Sequence, residues 1–266
     1  MSFGQLALWG WLPMAAVMLV LWLWQIRTLN AGTVDVAWAF GTGAIGVWFA
    51  LGGDGQAPSR QLLVAAMALF WGVRLGVFLY RRVTNEVEDG RYRYLREYLG
   101  KHAQPFHFAF FQVQAAWTLL FAAPMWAAGN AGPDHLTWLD ALGVGIWIAA
   151  MAGEAVADNQ LSRFRSNPNN KGQVCTVGLW RRTRHPNYFF EWLHWFAYVA
   201  LAAASDYWWV ALTGPVVMYV FITRITGVPY VEQQSLRSRG DAYRNYQRTT
   251  PMFFPSLRVK PGSQTT

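Results

Sequence analysis

The sequence predicts an all-α, polytopic membrane protein with about seven transmembrane helices. The chain of 266 residues is 54% hydrophobic and only 14% charged, whereas soluble domains average about a quarter charged residues. Long apolar segments recur along the chain, and most of its Lys and Arg residues are gathered into separate stretches between those segments. We therefore expect a single membrane-embedded domain over residues 1–266.

Each predicted span is an apolar segment with about the length that crosses a bilayer, roughly 20 helical residues for about 30 Å of hydrocarbon. In chain order the spans are Leu6–Ile26, Thr33–Leu51, Leu62–Tyr80, Phe108–Ala128, Trp138–Ala157, Tyr188–Ala204 and Trp208–Thr223. A large soluble core would instead need amphipathic stripes, which are mostly missing. No basic residue precedes Leu6, so the first span is not predicted to be a cleaved signal peptide.

The net charge of +8 is explained by topology once the charges are located. Six Lys or Arg residues lie within 81–101, six within 163–184 and six within 237–260. By the positive-inside rule these stretches share the cytoplasmic side, which places the N-terminus outside and the C-terminus in the cytoplasm. We therefore expect no nucleic-acid partner. Cys175 is the only cysteine, so no intrachain disulfide is possible, and we expect no metal site.

Several ionisable residues fall within the predicted spans or directly after them, and at a helix centre each would cost at least about 2.5 kcal/mol. These residues are Asp35, Arg74, Glu154, Asp158, Glu191 and Arg224. Pairing between helices, for example of Asp35 with Arg74, or snorkelling to the interface would explain any one of them. As a set they favour a polar chamber open to the cytosol.

The segment after the fifth span continues a helix and then breaks it. Glu154, Asp158 and Arg165 recur at helical spacing on roughly one face. The stretch "NPNNKGQ" then predicts a turn, because Pro, Asn and Gly favour turns.

In "RRTRHPNYFFE" a new helix is predicted to begin at Pro186, which suits a first helical turn. His185 and Asn187 then lie at a helix N-terminus, where free backbone N–H groups attract phosphate. By their spacing alone these arginines favour a membrane anchor, and bidentate phosphate binding stays open as the alternative.

The C-terminal segment repeats this combination of arginines and aromatic residues. Residues 231–248 are predicted to form a cytosolic helix or a pair of turns. Tyr230, Tyr243 and Tyr246 would stack on a planar ring or mark the membrane interface. No glycine-rich dinucleotide fingerprint follows a strand, so a Rossmann fold is not expected. The glycines of "FGTGAIG" and "GVGIW" predict close helix packing.

Five motifs of the chain resemble the steroid 5-alpha-reductase family. They are "VDVAWAF", "WGVRLGVFLYRRV", "EDGRYRYLRE", "NNKGQVCTVGLWRRTRHPNYFFEW" and "GVPYVEQQSLRSRGDAYRNYQRTTPMFFP". More narrowly, the chain resembles the bacterial branch of that family, uncharacterised membrane proteins of DUF1295 type. A shorter core, "RHPNY" with a later glutamate and a tyrosine-rich tail, is also shared with sterol reductases and isoprenylcysteine carboxyl methyltransferases.

The resemblance implies a bundle of about seven helices that holds NADPH in a cytosolic pocket formed by residues 138–258. A lipid-like substrate would enter from the bilayer and meet the nicotinamide among the helices of residues 1–128. Together with the spacing described above, the resemblance gives the cofactor-binding candidates Arg91, Tyr92, Glu154, Asp158, Arg165, Arg184, His185, Asn187, Tyr188, Arg224, Tyr230, Glu232, Tyr243 and Tyr246.

Asp35 and Trp71 are the catalytic candidates that the resemblance implies. Steroid reductases hold the substrate carbonyl with a glutamate in the second span and a tyrosine in the third, and these are the nearest matches here. Asp35 can donate only if protonated, which a dry site favours, while the Trp71 indole can donate but cannot transfer a proton. The expected reaction is hydride transfer from NADPH to the β-carbon of an α,β-unsaturated carbonyl, with hydrogen bonds to the enolate oxygen. A proton then reaches the α-carbon from water or a nearby group.

Two other functions stay open from the sequence. One is an S-adenosylmethionine-dependent methyltransferase acting on a lipid or thiol, although that cofactor carries no phosphate and has less need of arginines. The other is a non-enzymatic membrane scaffold or lipid-binding protein. In each case we expect a multi-pass protein of a bacterial inner membrane that contacts membrane lipids. The choice among steroid, polyprenyl and enoyl lipid substrates, the choice between NADPH and NADH, and the oligomeric state are left open.

Overall fold

The computed structural model describes residues 1–55, 57–85, 88, 90–130 and 132–257. All regular structure in these residues is helical, which confirms the predicted all-α class. The α-helices are α1 (Phe3–Thr28), α2 (Thr33–Gly52), α3 (Pro58–Asn85), α4 (Gly90–Leu99), α5 (Ala103–Gly129), α6 (Trp138–Ser166), α7 (Pro186–Leu193), α8 (Trp195–Ala202), α9 (Trp208–Ala211), α10 (Thr213–Val220) and α11 (Val228–Thr249). Arg258 and Lys260, at the end of the last basic stretch, lie outside the described residues.

Six helical stretches in the described part of the chain are long and apolar enough to cross a membrane. They are Phe3–Thr28, Thr33–Gly52, Pro58–Asn85, Gly90–Gly129, Trp138–Ser166 and Trp208–Thr249. The first five predicted spans and the seventh lie within them. The chain is therefore a polytopic integral membrane protein.

The sixth predicted span, Tyr188–Ala204, is not a continuous helix, because it divides into α7 and α8 at His194. Nδ1 of His194 hydrogen-bonds the Glu191 carbonyl oxygen at 2.6 Å. In an uninterrupted helix that carbonyl would accept from the Trp195 amide. The imidazole competes for this bond, an effect that apolar composition alone does not reveal.

The chain divides into two compact units. The first unit comprises Met1–Ala141 and Tyr198–Gly214, and the second comprises Leu142–Ala197 and Pro215–Thr266. Tyr198–Gly214 therefore belongs to the first unit, although it lies within residues 138–258, which were predicted to bind the cofactor.

Helices α2 and α3 of the first unit cross at a pair of glycines. A Cβ built on Gly43 would lie 2.8 Å from the Gly72 Cα, and the reciprocal distance is 2.7 Å. This contact confirms the close packing predicted for "FGTGAIG". The same prediction for "GVGIW" is wrong at Gly145, where a Cβ would meet no atom of the described residues within 4 Å.

A buried ion pair joins α3 to the start of α6, also in the first unit. Arg60 and Asp140 are 2% and 3% exposed. Nε and Nη2 of Arg60 donate to the two carboxylate oxygens at 2.6 and 2.9 Å. The guanidinium also donates to the Pro133 and His135 carbonyl oxygens, both at 2.8 Å. Thr137 donates to Asp140 through its amide and its hydroxyl, so both charges are well satisfied.

In the second unit, α6 continues to Ser166 and a short 3₁₀ turn, Pro168–Asn170, follows, which confirms the predicted helix and its break. The next loop docks on α6, since the Trp180 indole donates to the Ala157 carbonyl oxygen at 2.9 Å. Helix α7 begins at Pro186, as predicted. Helix α11 confirms the predicted helix over 231–248, with a kink at Gly240, whose φ is +51°.

Candidate functional site

The predicted site residues fall into two groups, one in each unit. Asp35, Trp71, Arg91 and Tyr92 belong to the first unit. The other cofactor-binding candidates, from Glu154 to Tyr246, belong to the second. Each group is a local arrangement within its own unit.

Asp35 is the centre of the group in the first unit. It lies in the first turn of α2. The Tyr92 hydroxyl donates to Asp35 Oδ1 at 2.9 Å, and Arg91 Nη2 lies 3.6 Å from Oδ2. Arg91 and Tyr92 occupy the first turn of α4. Both residues therefore present donors to the predicted catalytic carboxylate.

Trp71 of α3 lies in an aromatic interior, together with two α2 residues that carry polar side-chain atoms, Trp38 and Thr42. Its side chain is fully buried, and its ring centroid lies 6.1 Å from that of Trp38. Trp38 Nε1 and Thr42 Oγ1 are buried with no hydrogen-bond partner among the described residues. Asp35, Trp38 and Thr42 follow helical spacing along one side of α2. Trp38 and Thr42 were not predicted from the sequence, although this spacing from Asp35 was a usable signal.

Glu88 joins the last turn of α4, through Arg96, to the residues just before α2. Its carboxylate accepts two hydrogen bonds from the Arg96 guanidinium, at 2.9 and 2.7 Å. It also accepts from the Ala31 amide at 2.9 Å. Such bidentate pairs are among the stronger polar contacts in proteins. Glu88 was not selected as a site residue from the sequence.

Glu232 organises the group in the second unit. Its Oε1 accepts from Arg184 Nε at 2.6 Å and lies 3.1 Å from His185 Nε2, and its Oε2 accepts from Gln247 Nε2 at 2.8 Å. Nη1 of Arg184 continues to the Gln247 and Thr250 carbonyl oxygens at 3.0 and 2.7 Å. Arg184 and His185 are thus bound to α11 and its C-terminal end, and they help to fix the loop before α7.

The tyrosines of α11 are mostly used inside the second unit. Tyr243 and Tyr246 are each 5% exposed. The Tyr246 hydroxyl donates to the Trp180 carbonyl oxygen. Tyr230 is half-buried. Of the three predicted stacking residues, Tyr230 therefore offers the most accessible ring.

The first turn of α7 meets two other elements of the second unit. Asn187 Nδ2 donates to Asp158 Oδ1 of α6 at 3.3 Å. A Cβ built on Gly227, just before α11, would lie 3.1 Å from the Tyr188 ring. The Tyr188 ring also stacks on His185, with 5.5 Å between centroids. The structure thus joins Asn187 to Asp158 and stacks Tyr188 on His185 at the start of α7.

Arg224 lies in a π-helical turn, Phe221–Ile225, that precedes this junction. The Thr226 amide donates to the Phe221 carbonyl oxygen at 2.9 Å, the spacing of a π turn. Such turns occur frequently at functional sites. Arg224 is exposed, as is Arg165 near the end of α6, whereas Glu154 is 7% exposed.

Cys175 lies in the loop between α6 and α7. Burial raises the pKa of its thiol, while a hydrogen bond with the Val177 backbone and the charges of Arg165 and Arg239 act in the opposite direction. The pKa of Cys175 thus reports on the arginines around it. In the described residues no group of three or more His, Cys, Asp or Glu side chains is arranged to hold a metal ion.

The fold and these sites define an integral membrane protein with polar groups gathered in each of two units. Residues 21–250 match the family model described as "Protein of unknown function (DUF1295)", and the chain belongs to that family. It is similar to "Uncharacterized protein C594.04c" of Schizosaccharomyces pombe, with 28% identity over 273 residues that cover 90% of this chain and 76% of that protein. No solved structure matches the chain.

Proposed function

We propose that this DUF1295 protein is an NADPH-dependent reductase of a bacterial inner membrane that reduces a carbon–carbon double bond conjugated to a carbonyl. The substrate is a steroid or another lipid-like molecule that enters from the bilayer. The observation that carries the proposal is the junction at the start of α7, where Asn187 bonds Asp158 and Tyr188 packs beside Gly227.

The residues at this junction suit a phosphate-bearing dinucleotide. Backbone N–H groups at a helix start favour anions, and the exposed guanidinium groups of Arg165 and Arg224 are suited to bidentate phosphate contacts. The Asp158 carboxylate is an acceptor for ribose hydroxyls. Arg184 supports the cofactor pocket by fixing its wall, because its bonds to Glu232 and α11 hold the loop in place. Bound NADPH would supply the hydride.

The first unit supplies groups that can polarise a substrate carbonyl. Asp35 orients the Tyr92 hydroxyl at 2.9 Å. A tyrosine hydroxyl that turns from this carboxylate toward a substrate oxygen stabilises the negative charge of the enolate. Steroid reductases have a tyrosine in the third span where this chain has Trp71, and Tyr92 would supply the phenol in its place. The Trp38 indole and the Thr42 hydroxyl offer further hydrogen bonds along α2.

The proposal is tested by titrating the detergent-purified protein with NADPH, NADH and S-adenosylmethionine. Asn187→Ala removes the amide that bonds Asp158, and we expect NADPH affinity to fall at least about tenfold, the equivalent of one or two lost hydrogen bonds. Asn245→Ala is the matched control, because Asn245 is an exposed asparagine of the same unit. It should bind NADPH as the wild type does.

Binding of S-adenosylmethionine with no response to NADPH would overturn the reductase proposal and favour a methyltransferase. If no cofactor binds, and substitutions at Asp35, Asn187 and Glu232 are all tolerated, a membrane scaffold would be the better explanation. Tight NADPH binding that Asn187→Ala weakens would justify screening enone lipids as substrates.

A further inference from the structure

His107 is a buried histidine whose ring makes no hydrogen bond to any described residue. It lies on α5 and is fully buried, yet neither Nδ1 nor Nε2 has a partner in the described part of the chain. A neutral imidazole carries one donor and one acceptor, and each is costly to leave unmade in an apolar interior. This cost is greater within a membrane protein, where bulk water is excluded.

Two neighbouring side chains add further unmatched polar atoms. Gln25 of α1 is fully buried and donates through Nε2 to Gln104 Oε1 at 2.7 Å, one turn before His107, while its own Oε1 has no described partner. Helix α4, which carries Arg96, packs against α5 close to His107, because the ring centroids of Tyr92 and Phe110 are 6.0 Å apart. Arg96 Nε is likewise buried without a described partner.

Helix α2 contributes a fourth residue to this cluster. Glu88 accepts from the Ala31 amide at 2.9 Å, which places the start of α2 beside the Glu88–Arg96 pair. Thr33, two residues after Ala31, has a buried hydroxyl with no hydrogen-bond partner among the described residues. The unmatched atoms therefore come from α1, α2, α4 and α5, and they are Gln25 Oε1, Thr33 Oγ1, Arg96 Nε and both ring nitrogens of His107.

The charge of this cluster indicates what it can bind. Glu88 already neutralises Arg96 through two hydrogen bonds. With a neutral imidazole the site has no net charge, and its open atoms include both donors and acceptors. A neutral group that donates and accepts hydrogen bonds satisfies such a set, whereas an anion or a cation does not.

We propose that Gln25, Thr33, Arg96 and His107 form a buried binding site for a hydroxyl oxygen. The hydroxyl belongs either to a lipid-like alcohol or to a trapped water, since buried waters typically have two to four polar partners. The site adjoins the Tyr92–Asp35 hydrogen bond, because Tyr92 and Arg96 lie one turn apart on α4. The inference does not depend on the reductase activity.

Thermal unfolding of the purified protein tests the site through His107→Phe, which keeps an aromatic ring and removes both nitrogens. If a hydroxyl fills the site, the melting temperature should fall by about 5 °C, because the ligand and its other partners lose their bonds. His107→Gln, which keeps a donor and an acceptor, should recover part of that loss. His102→Phe is the control at an exposed histidine of the same region and should leave the melting temperature unchanged. A His107→Phe variant that melts at or above the wild-type temperature would overturn the proposal.

A measurement on the wild-type chain separates the two sources of the hydroxyl. Micelles are supplemented with 1-dodecanol or, as a control, with the same mole fraction of dodecane. A cross-peak from the His107 ring protons to dodecanol, in a ¹⁵N-histidine-labelled sample, together with a rise in melting temperature specific to dodecanol, identifies a lipid-like alcohol. A cross-peak to water with no effect of dodecanol identifies a trapped water. Should neither cross-peak appear, the proposal fails, even if His107→Phe does not fold.

Discussion

Both units contain a network of bonded charges, and the first unit also contains several buried polar atoms without a partner among the described residues. In the second unit, Glu232 bonds Arg184, His185 and Gln247, and the Arg184 guanidinium continues to backbone carbonyl oxygens. In the first unit, the Arg60–Asp140 pair is satisfied in the same manner, but interior atoms of residues such as His107 have no partner among the described residues. Polar groups that are already bonded form a scaffold. The unmatched atoms around His107 are those that we propose bind a hydroxyl.

The largest loss of stability is expected when the buried ion pair of the first unit is broken. Arg60→Met leaves the Asp140 carboxylate buried without its counter-charge. Removing one partner of a buried ion pair costs about 3–5 kcal/mol of unfolding free energy. The loss is measured by denaturant titration of the purified protein, with Arg27→Met, at an exposed arginine, as the control.

The double variant Arg60→Met/Asp140→Leu sharpens this prediction, because it removes both charges. It should recover most of the stability lost in Arg60→Met, since apolar replacements of buried ion pairs are often neutral. A double variant as unstable as Arg60→Met would mean that the four backbone and threonine contacts of this pair, and not its charge balance, stabilise the first unit.

A smaller effect is expected from the scaffold of the second unit. Glu232→Gln keeps the shape of the side chain but removes the charge that Arg184 and His185 face. Hydrogen bonds to charged groups contribute about 1.5–3 kcal/mol each, and the amide still accepts, so we expect a loss of about 2 kcal/mol. Thermal unfolding measures it.

Asp241→Asn provides the matched control on the same helix. Asp241 pairs with Arg244 at 2.7 Å, but the two side chains are 93% and 62% exposed. Exposed pairs of this kind contribute little, about 0–1 kcal/mol. Equal losses at positions 232 and 241 would contradict the idea that the Glu232 network is a scaffold.

Local features of the fold were predictable from the sequence, and long-range polar pairs were not. Six spans, the break after Ser166 and the helix start at Pro186 depend on apolar length and on turn residues within a few positions. Arg60 and Asp140 are 80 residues apart, and Arg184 and Glu232 are 48 apart, so no periodicity connects them.

The candidate site was predictable to the same extent. The motif around Asn187 was recognisable because helix starts have local signals. The resemblance gave Asn187 and Asp158 as cofactor-binding positions, but their contact was not predicted. The burial of His107 and the use of Arg184 inside the protein depend on which helices pack together. From the sequence alone, His107 is a histidine at the edge of a predicted span and Arg184 is one arginine of a basic stretch. Each position then has several equally good explanations.

The smallest effect concerns Cys175, whose thiol pKa is raised above its ordinary value of 9.0 by burial in the second unit. The neutral thiol is favoured by folding, so the stability that this shift contributes is present below pH 9 and is lost as pH rises through the folded pKa. The pH dependence of N-ethylmaleimide labelling should therefore have its midpoint at a higher pH in the folded protein than in the SDS-unfolded chain. Absolute rates report access, whereas the midpoint reports the pKa.

Arg165→Met should move the midpoint further upward, because the Arg165 charge lowers this pKa, while Arg163→Met at a neighbouring exposed arginine should not. A midpoint that Arg165→Met leaves in place would mean that the Arg165 charge does not act on the Cys175 thiol.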